Sequence, residues 1–141
     1  MKPIGYWLNR TDRALTRHMD AMLAEYGLTR LTWQVLNVVR SAPGTADTEV
    51  HTVLAANADA AALSVAVHAA LADGWVTRPA PGLLALTADG DARLAAVTER
   101  VAAFREWVSA GITPEEYHTA VQVLERMTRN LEEAPAAAST A

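Results

Sequence analysis

The sequence predicts a mainly α chain that carries one small two-stranded β wing. Three observations predict it. Apolar residues recur at spacings of three, four and seven over most of the length. Alanine, the best helix former, occurs 30 times in 141 residues. Strand-like sequence is confined to Trp75-Val76-Thr77 and Leu83 to Leu86, on either side of the turn Arg78-Pro79-Ala80-Pro81-Gly82.

The elements follow in order. Ile4, Leu8, Leu15, Met19, Met22 and Tyr26 lie on one stripe of a long helix over 4–26, which Gly27 stops. Thr29 or Thr32 caps a second helix to about Arg40, with Leu31, Val35, Leu36 and Val39 facing inward. Ser41-Ala42-Pro43-Gly44-Thr45 reads as a loop. A short third helix spans about Asp47 to Ala56, and Asn57 or Asp59 caps a fourth that ends at Asp73-Gly74. Thr87 caps a long fifth helix, in which Leu94, Val97, Val101, Phe104 and Val108 form a heptad-like seam. Thr113-Pro114-Glu115-Glu116 is a capping box with proline at the first helical position. The sixth helix carries Tyr117, Val121, Leu124, Met127 and Leu131 on one side.

Short helices followed by a two-stranded wing make a winged helix-turn-helix. The first, fifth and sixth helices bear apolar stripes wider than a monomer of this size uses, so they are expected to form a dimer interface. The whole is one domain over 1–133. Its winged-helix lobe covers about 28–87, its dimerisation helices about 4–26 and 88–132, and 134–141 is a flexible tail.

Composition excludes much else. An apolar fraction of 51% excludes global disorder. Without cysteine there are no disulfides, thiolate metal sites or cysteine nucleophiles. No apolar run is long enough to cross a membrane, and the first residues show no secretory signal, so the expected location is the cytoplasm. No cofactor motif is present. Asp47 and His51 stand i, i+4, with His68 on the next helix, but an acid–histidine pair on a helix surface is commoner than a metal site, and none is assigned. Ser64 and His68 also stand i, i+4, without a third group to orient the base, so no catalytic residues are assigned.

Charge is unevenly placed. The net charge is −4, and residues 41–77 hold Asp47, Glu49, Asp59 and Asp73 with no lysine or arginine. The remainder of the chain is neutral.

Several segments together resemble the MarR (multiple antibiotic resistance regulator) family. They are Gly27-Leu28-Thr29 followed by Trp33-Gln34-Val35-Leu36, Leu63-Ser64 leading through Val67 and Leu71 to Gly74-Trp75-Val76-Thr77-Arg78, and Leu86-Thr87-Ala88-Asp89-Gly90. Thr113-Pro114-Glu115-Glu116 and Leu124-Glu125-Arg126-Met127 complete the pattern, which runs from about Gly5 to Leu131. The resemblance implies a homodimeric transcriptional regulator that binds palindromic double-stranded DNA and is released by a small ligand. It places the ligand between the dimer helices and the winged-helix lobe. Tyr6, Trp7, Arg10, Trp33, Phe104 and Trp107 come from the helices that line that cleft, and such a set suits a planar or acidic organic molecule.

The chain departs from the family where DNA is read. The recognition helix, about 59–73, is alanine-rich, and its polar positions are Asp59, Ser64 and His68. Alanine can touch thymine methyls but makes no bidentate contact to guanine. The wing is short and lacks the Asp-x-Arg pattern of the family. The residues left for DNA are Arg30, Arg40, Asn57, Ser64, His68 and Arg78, with the helix N-termini. Two alternatives therefore stand beside the regulator. One is a repurposed scaffold that has lost DNA binding and serves as a small-molecule-binding protein or enzyme. The other is a protein-interaction module whose acidic, apolar lobe docks on a partner.

Overall fold

A computed structural model describes residues 1–42 and 44–134. The element order is α1 (Ile4–Ala24), α2 (Arg30–Ser41), β1 (Thr45–Ala46), α3 (Asp47–Val53), α4 (Ala60–Ala72), β2 (Val76–Thr77), β3 (Leu83–Leu86), α5 (Ala88–Val108) and α6 (Pro114–Glu132). Mainly helical structure with a small antiparallel sheet is what the patterning predicts.

Helix boundaries follow local chemistry. The end of α1 is a Schellman turn: Leu28 N donates to Leu23 O at 3.0 Å and Gly27 N to Ala24 O at 3.0 Å. Gly27 takes φ 72°, a conformation costly for a residue with a Cβ. Thr29 opens α2 by accepting a bond from Thr32 N at 3.1 Å. Asp59, not Asn57, caps α4, accepting from Ala62 N at 2.8 Å. Thr87 caps α5 by accepting from Gly90 N at 2.8 Å. In α6 both halves of the Thr113–Glu116 capping box are formed.

The chain forms two compact units, residues 1–102 and 103–141. In the first, Leu23, Val35, Leu36, Val50, Leu63, Trp75, Leu84, Leu94 and Val97 make the centre of the core. Helix α2 packs on α4, α1, α3 and β3. The inward residues of α2 are Thr32, Val35, Leu36 and Val39, while Leu31 is only half-buried. The second unit holds the end of α5 and all of α6, which buries none of its residues.

The sheet has a third strand where the sequence reading has a loop. Its order is β1-β3-β2, antiparallel throughout, with Thr45 opposite Leu84 and Val76 opposite Leu86. Two residues give no periodic signal, so β1 is invisible to pattern reading. It is fixed by tertiary contacts: Thr45 is fully buried and donates its hydroxyl to Ala42 O at 2.9 Å. The third helix is also shorter than expected. It ends at Val53, and Asn57 N donates to Leu54 O at 2.9 Å in a turn that overrides the propensity of Ala55 and Ala56. The tail expected from 134 onward lies outside the described residues from 135, as does Pro43 of the expected 41–45 loop.

Candidate nucleic-acid interface and aromatic residues

The first unit presents α4 on its surface behind the support of α2. Leu63, Ala66, Val67 and Ala70 face the core. The opposite stripe is Ala61, Val65, His68 and Ala72, at spacings of four, three and four, and all four are exposed. Val65 is 70% exposed, and Val53 on neighbouring α3 is 56% exposed. Sequence reasoning named Ser64 and His68 here but passed over Val65. Its place four residues after Ala61 and three before His68 was the available signal.

The polar groups on this face are few. Ser64 is half-buried, and its main-chain carbonyl lies 2.7 Å from His68 Nδ1. A carbonyl only accepts, so Nδ1 carries the hydrogen and Nε2 is the ring's outward acceptor when the imidazole is neutral. Asn57 is exposed in the turn before α4.

The arginines of the same lobe are engaged with the protein. Arg78 Nη1 meets Asp47 Oδ1 at 3.0 Å and Leu83 O at 3.4 Å, which draws it back against α3 and the hairpin. Asp47 is therefore committed to an arginine rather than to a pairing with His51. Among the described residues no group of three acids or histidines is arranged to hold a metal ion. Arg40 donates to Thr98 Oγ1 at 3.0 Å, and Arg30 lies 4.0 Å from Asp20. All three pairs are partly solvated, so each is worth about 0–1 kcal/mol and can be exchanged for a phosphate.

The five aromatic residues expected at the ligand lie on α1, on α2 and in the second unit. Tyr6 and Trp7 meet edge-on at 5.1 Å near the start of α1. Arg10 donates to Tyr6 Oη at 2.9 Å and stands 6.0 Å from the Trp7 ring. Lys2 lies 5.2 Å from the Tyr6 ring. These are exposed residues that build a small aromatic, cationic surface. Trp33 sits half-buried on α2, and its Nε1 is buried without a hydrogen-bond acceptor among the described residues. A buried donor left in that condition costs about 1–3 kcal/mol, so the position favours a guest that can accept. In the second unit Phe104 and Trp107 form a tilted pair at 6.0 Å.

Among the described residues no helix is long and apolar enough to cross a membrane. No protein-family model matches the sequence, and no curated relative matches it. Solved structures do match. The Mycobacterium tuberculosis MarR family protein Rv2887, in complex with DNA, is 26% identical, with 90% of this chain and 98% of that chain covered at a TM-score of 0.71. The transcriptional repressor CouR bound to p-coumaroyl-CoA is 23% identical, with 90% and 92% covered and a TM-score of 0.73. The reduced form of MarR from E. coli is 23% identical, with 90% and 94% covered and a TM-score of 0.70. Coverage of nearly the whole chain, at TM-scores of 0.70 to 0.73, shows that this protein has the MarR-family winged helix-turn-helix fold.

Proposed function

We propose that the protein is a ligand-modulated, DNA-binding transcriptional regulator that acts as a homodimer in the cytoplasm. The observation that carries the reading is the intact, exposed α4 on a winged-helix lobe whose fold is shared with a protein solved on DNA. A helix so placed enters the major groove, and its partner in a dimer reads the second half-site about one helical turn away. Exposed apolar residues support the dimer. Ile4, Trp7 and Leu8 on α1 and Tyr117, Val121, Met127 and Leu131 on α6 are exposed, an arrangement that soluble monomers avoid.

Ligand response is supported by the second set of residues. In the first unit Tyr6, Trp7, Arg10 and Trp33 supply stacking surfaces, a cation and an unsatisfied donor, which suit an aromatic acid. CouR, of the same fold, is bound to p-coumaroyl-CoA. A ligand that binds better to a form with misplaced recognition helices lowers DNA affinity by that difference alone.

A second reading is favoured by the engaged arginines and the apolar α4: the scaffold has given up DNA and retains only the ligand. One experiment separates the two. Duplexes from the region upstream of its own gene are titrated with the protein, and aromatic acids are then added. Selective binding that an aromatic acid reverses supports the regulator. Binding of the acid by protein that ignores every duplex supports the second reading.

A further inference from the structure

We infer that α4 reads thymine methyl groups, with Val65 as the specificity-determining contact and His68 as its hydrogen-bonding companion. The inference rests on the DNA-binding reading above and narrows it to a class of target.

Guanine shows the major groove two acceptors, N7 and O6, and is read by arginine or lysine. No lysine or arginine occurs anywhere from 41 to 77. The Arg78 guanidinium just beyond is drawn to Asp47 and to the carbonyl of Leu83. The exposed stripe therefore has no arginine or lysine with which to select guanine. Ser64 pairs with either kind of base and does not discriminate.

What α4 offers is apolar and placed at its leading end. Ala61 and Val65 lie in the first two turns, the part of a recognition helix that meets base edges. Val65 is 70% exposed, so most of it is free to be covered. The apolar feature of the major groove is the thymine C5-methyl. His68, one turn further on, gives its Nδ1 hydrogen to the Ser64 carbonyl at 2.7 Å. In the tautomer that this bond selects, Nε2 is the ring's acceptor, which suits the N6 amino group of an adenine. Methyl and amino group belong to the same A·T pair or to adjacent ones, so the two side chains select together.

The test removes the methyl and nothing else. Duplexes are selected from a random-sequence pool on the full-length protein, then resynthesised with deoxyuridine for thymidine. Covering one methyl group is worth about 0.8 kcal/mol, so each methyl lost under Val65 should weaken binding about fourfold. Val65→Ser should weaken binding to the thymidine duplex and abolish the difference between the two duplexes. Because Val65 is exposed, this variant leaves no cavity, and an unchanged thermal melt would confirm that it folds. Equal binding of thymidine and deoxyuridine duplexes overturns the inference and leaves the DNA reading standing. A Val65→Ser variant that keeps the full methyl preference overturns the role of Val65. Failure to select any duplex, even at low salt, overturns the DNA reading and this inference with it.

Discussion

Gly90→Ala sets two effects of opposite sign against each other. Inside a helix, alanine is favoured over glycine by about 1 kcal/mol. Gly90 is the third residue of α5 and is buried. A Cβ there would lie 2.0 Å from the Trp75 carbonyl oxygen, 2.7 Å from its carbonyl carbon and 2.9 Å from its Cα. Carbon atoms in contact prefer about 3.5–4.0 Å, and all three neighbours are backbone, which cannot swing aside. Either α5 or the 74–75 segment must move by more than about 1 Å. That segment is tied to Thr87, whose N donates to Trp75 O at 3.0 Å and whose hydroxyl donates to Gly74 O at 2.7 Å. Overpacking costs about 1–3 kcal/mol, and the two bonds are worth about 1 kcal/mol each. Less the helix gain, the loss should be about 3 kcal/mol. Urea unfolding followed by tryptophan fluorescence, at one protein concentration, should show the midpoint lowered by roughly 1.5 M for a slope of about 2 kcal/mol/M. Gly5→Ala is the control. That glycine lies in α1 with nothing within 4 Å of its added Cβ, so its midpoint should hold or rise. A Gly90→Ala midpoint equal to or above wild type would refute the reasoning about the close approach.

Other outcomes follow from the same structure. Asp47→Ala should release Arg78 and tighten DNA binding; the slope of log affinity against log salt should steepen by about 0.9 as one more phosphate is neutralised. Leu36→Ala, in the centre of the core, should cost about 2–5 kcal/mol in chemical denaturation. Sedimentation equilibrium should give twice the chain mass of 15.1 kDa, and Val121→Asp on the exposed stripe of α6 should shift it toward the monomer. Glu116 has its carboxyl held below the usual glutamate value by bonds from the Thr113 backbone and then the Thr113 hydroxyl. Its contribution to helix capping is therefore complete above that usual value and is lost as pH falls through the lowered one. Thr113→Ala should lower helicity by circular dichroism near neutral pH, and the difference from wild type should shrink in acid.

Much of the fold was legible because its signals are local. The capping box at Thr113, the glycine after α1 and the turn before Leu83 each involve a few neighbouring residues, and the structure realises all three. Strand β1 was not legible, because two residues carry no period and its pairing with β3 joins positions nearly forty apart. Alanine propensity suggested that α3 reaches Ala56; the buried Leu54 and its turn decide otherwise. At the site, the sequence showed the missing cations of α4 but not the fate of those nearby. The pairing of Arg78 with Asp47 spans 31 positions and depends on how the hairpin closes. Periodicity named the wide stripes of α1 and α6, and each of these helices leaves apolar residues exposed. The aromatic residues were named from the resemblance, and the structure adds the unsatisfied Nε1 of Trp33, a property of packing rather than of sequence.

A winged helix with an apolar reading face and few available cations should still bind DNA selectively. Fluorescence anisotropy of a labelled upstream duplex, titrated at several salt concentrations against a scrambled control, tests it most directly. Arg30, Arg40 and Arg78 are the arginines of the lobe, so the salt slope should be shallow, about −3 per protomer at most. Preference for the upstream duplex over the control should survive at physiological salt. Absence of binding even at low salt, or a steep slope with no sequence preference, would contradict it.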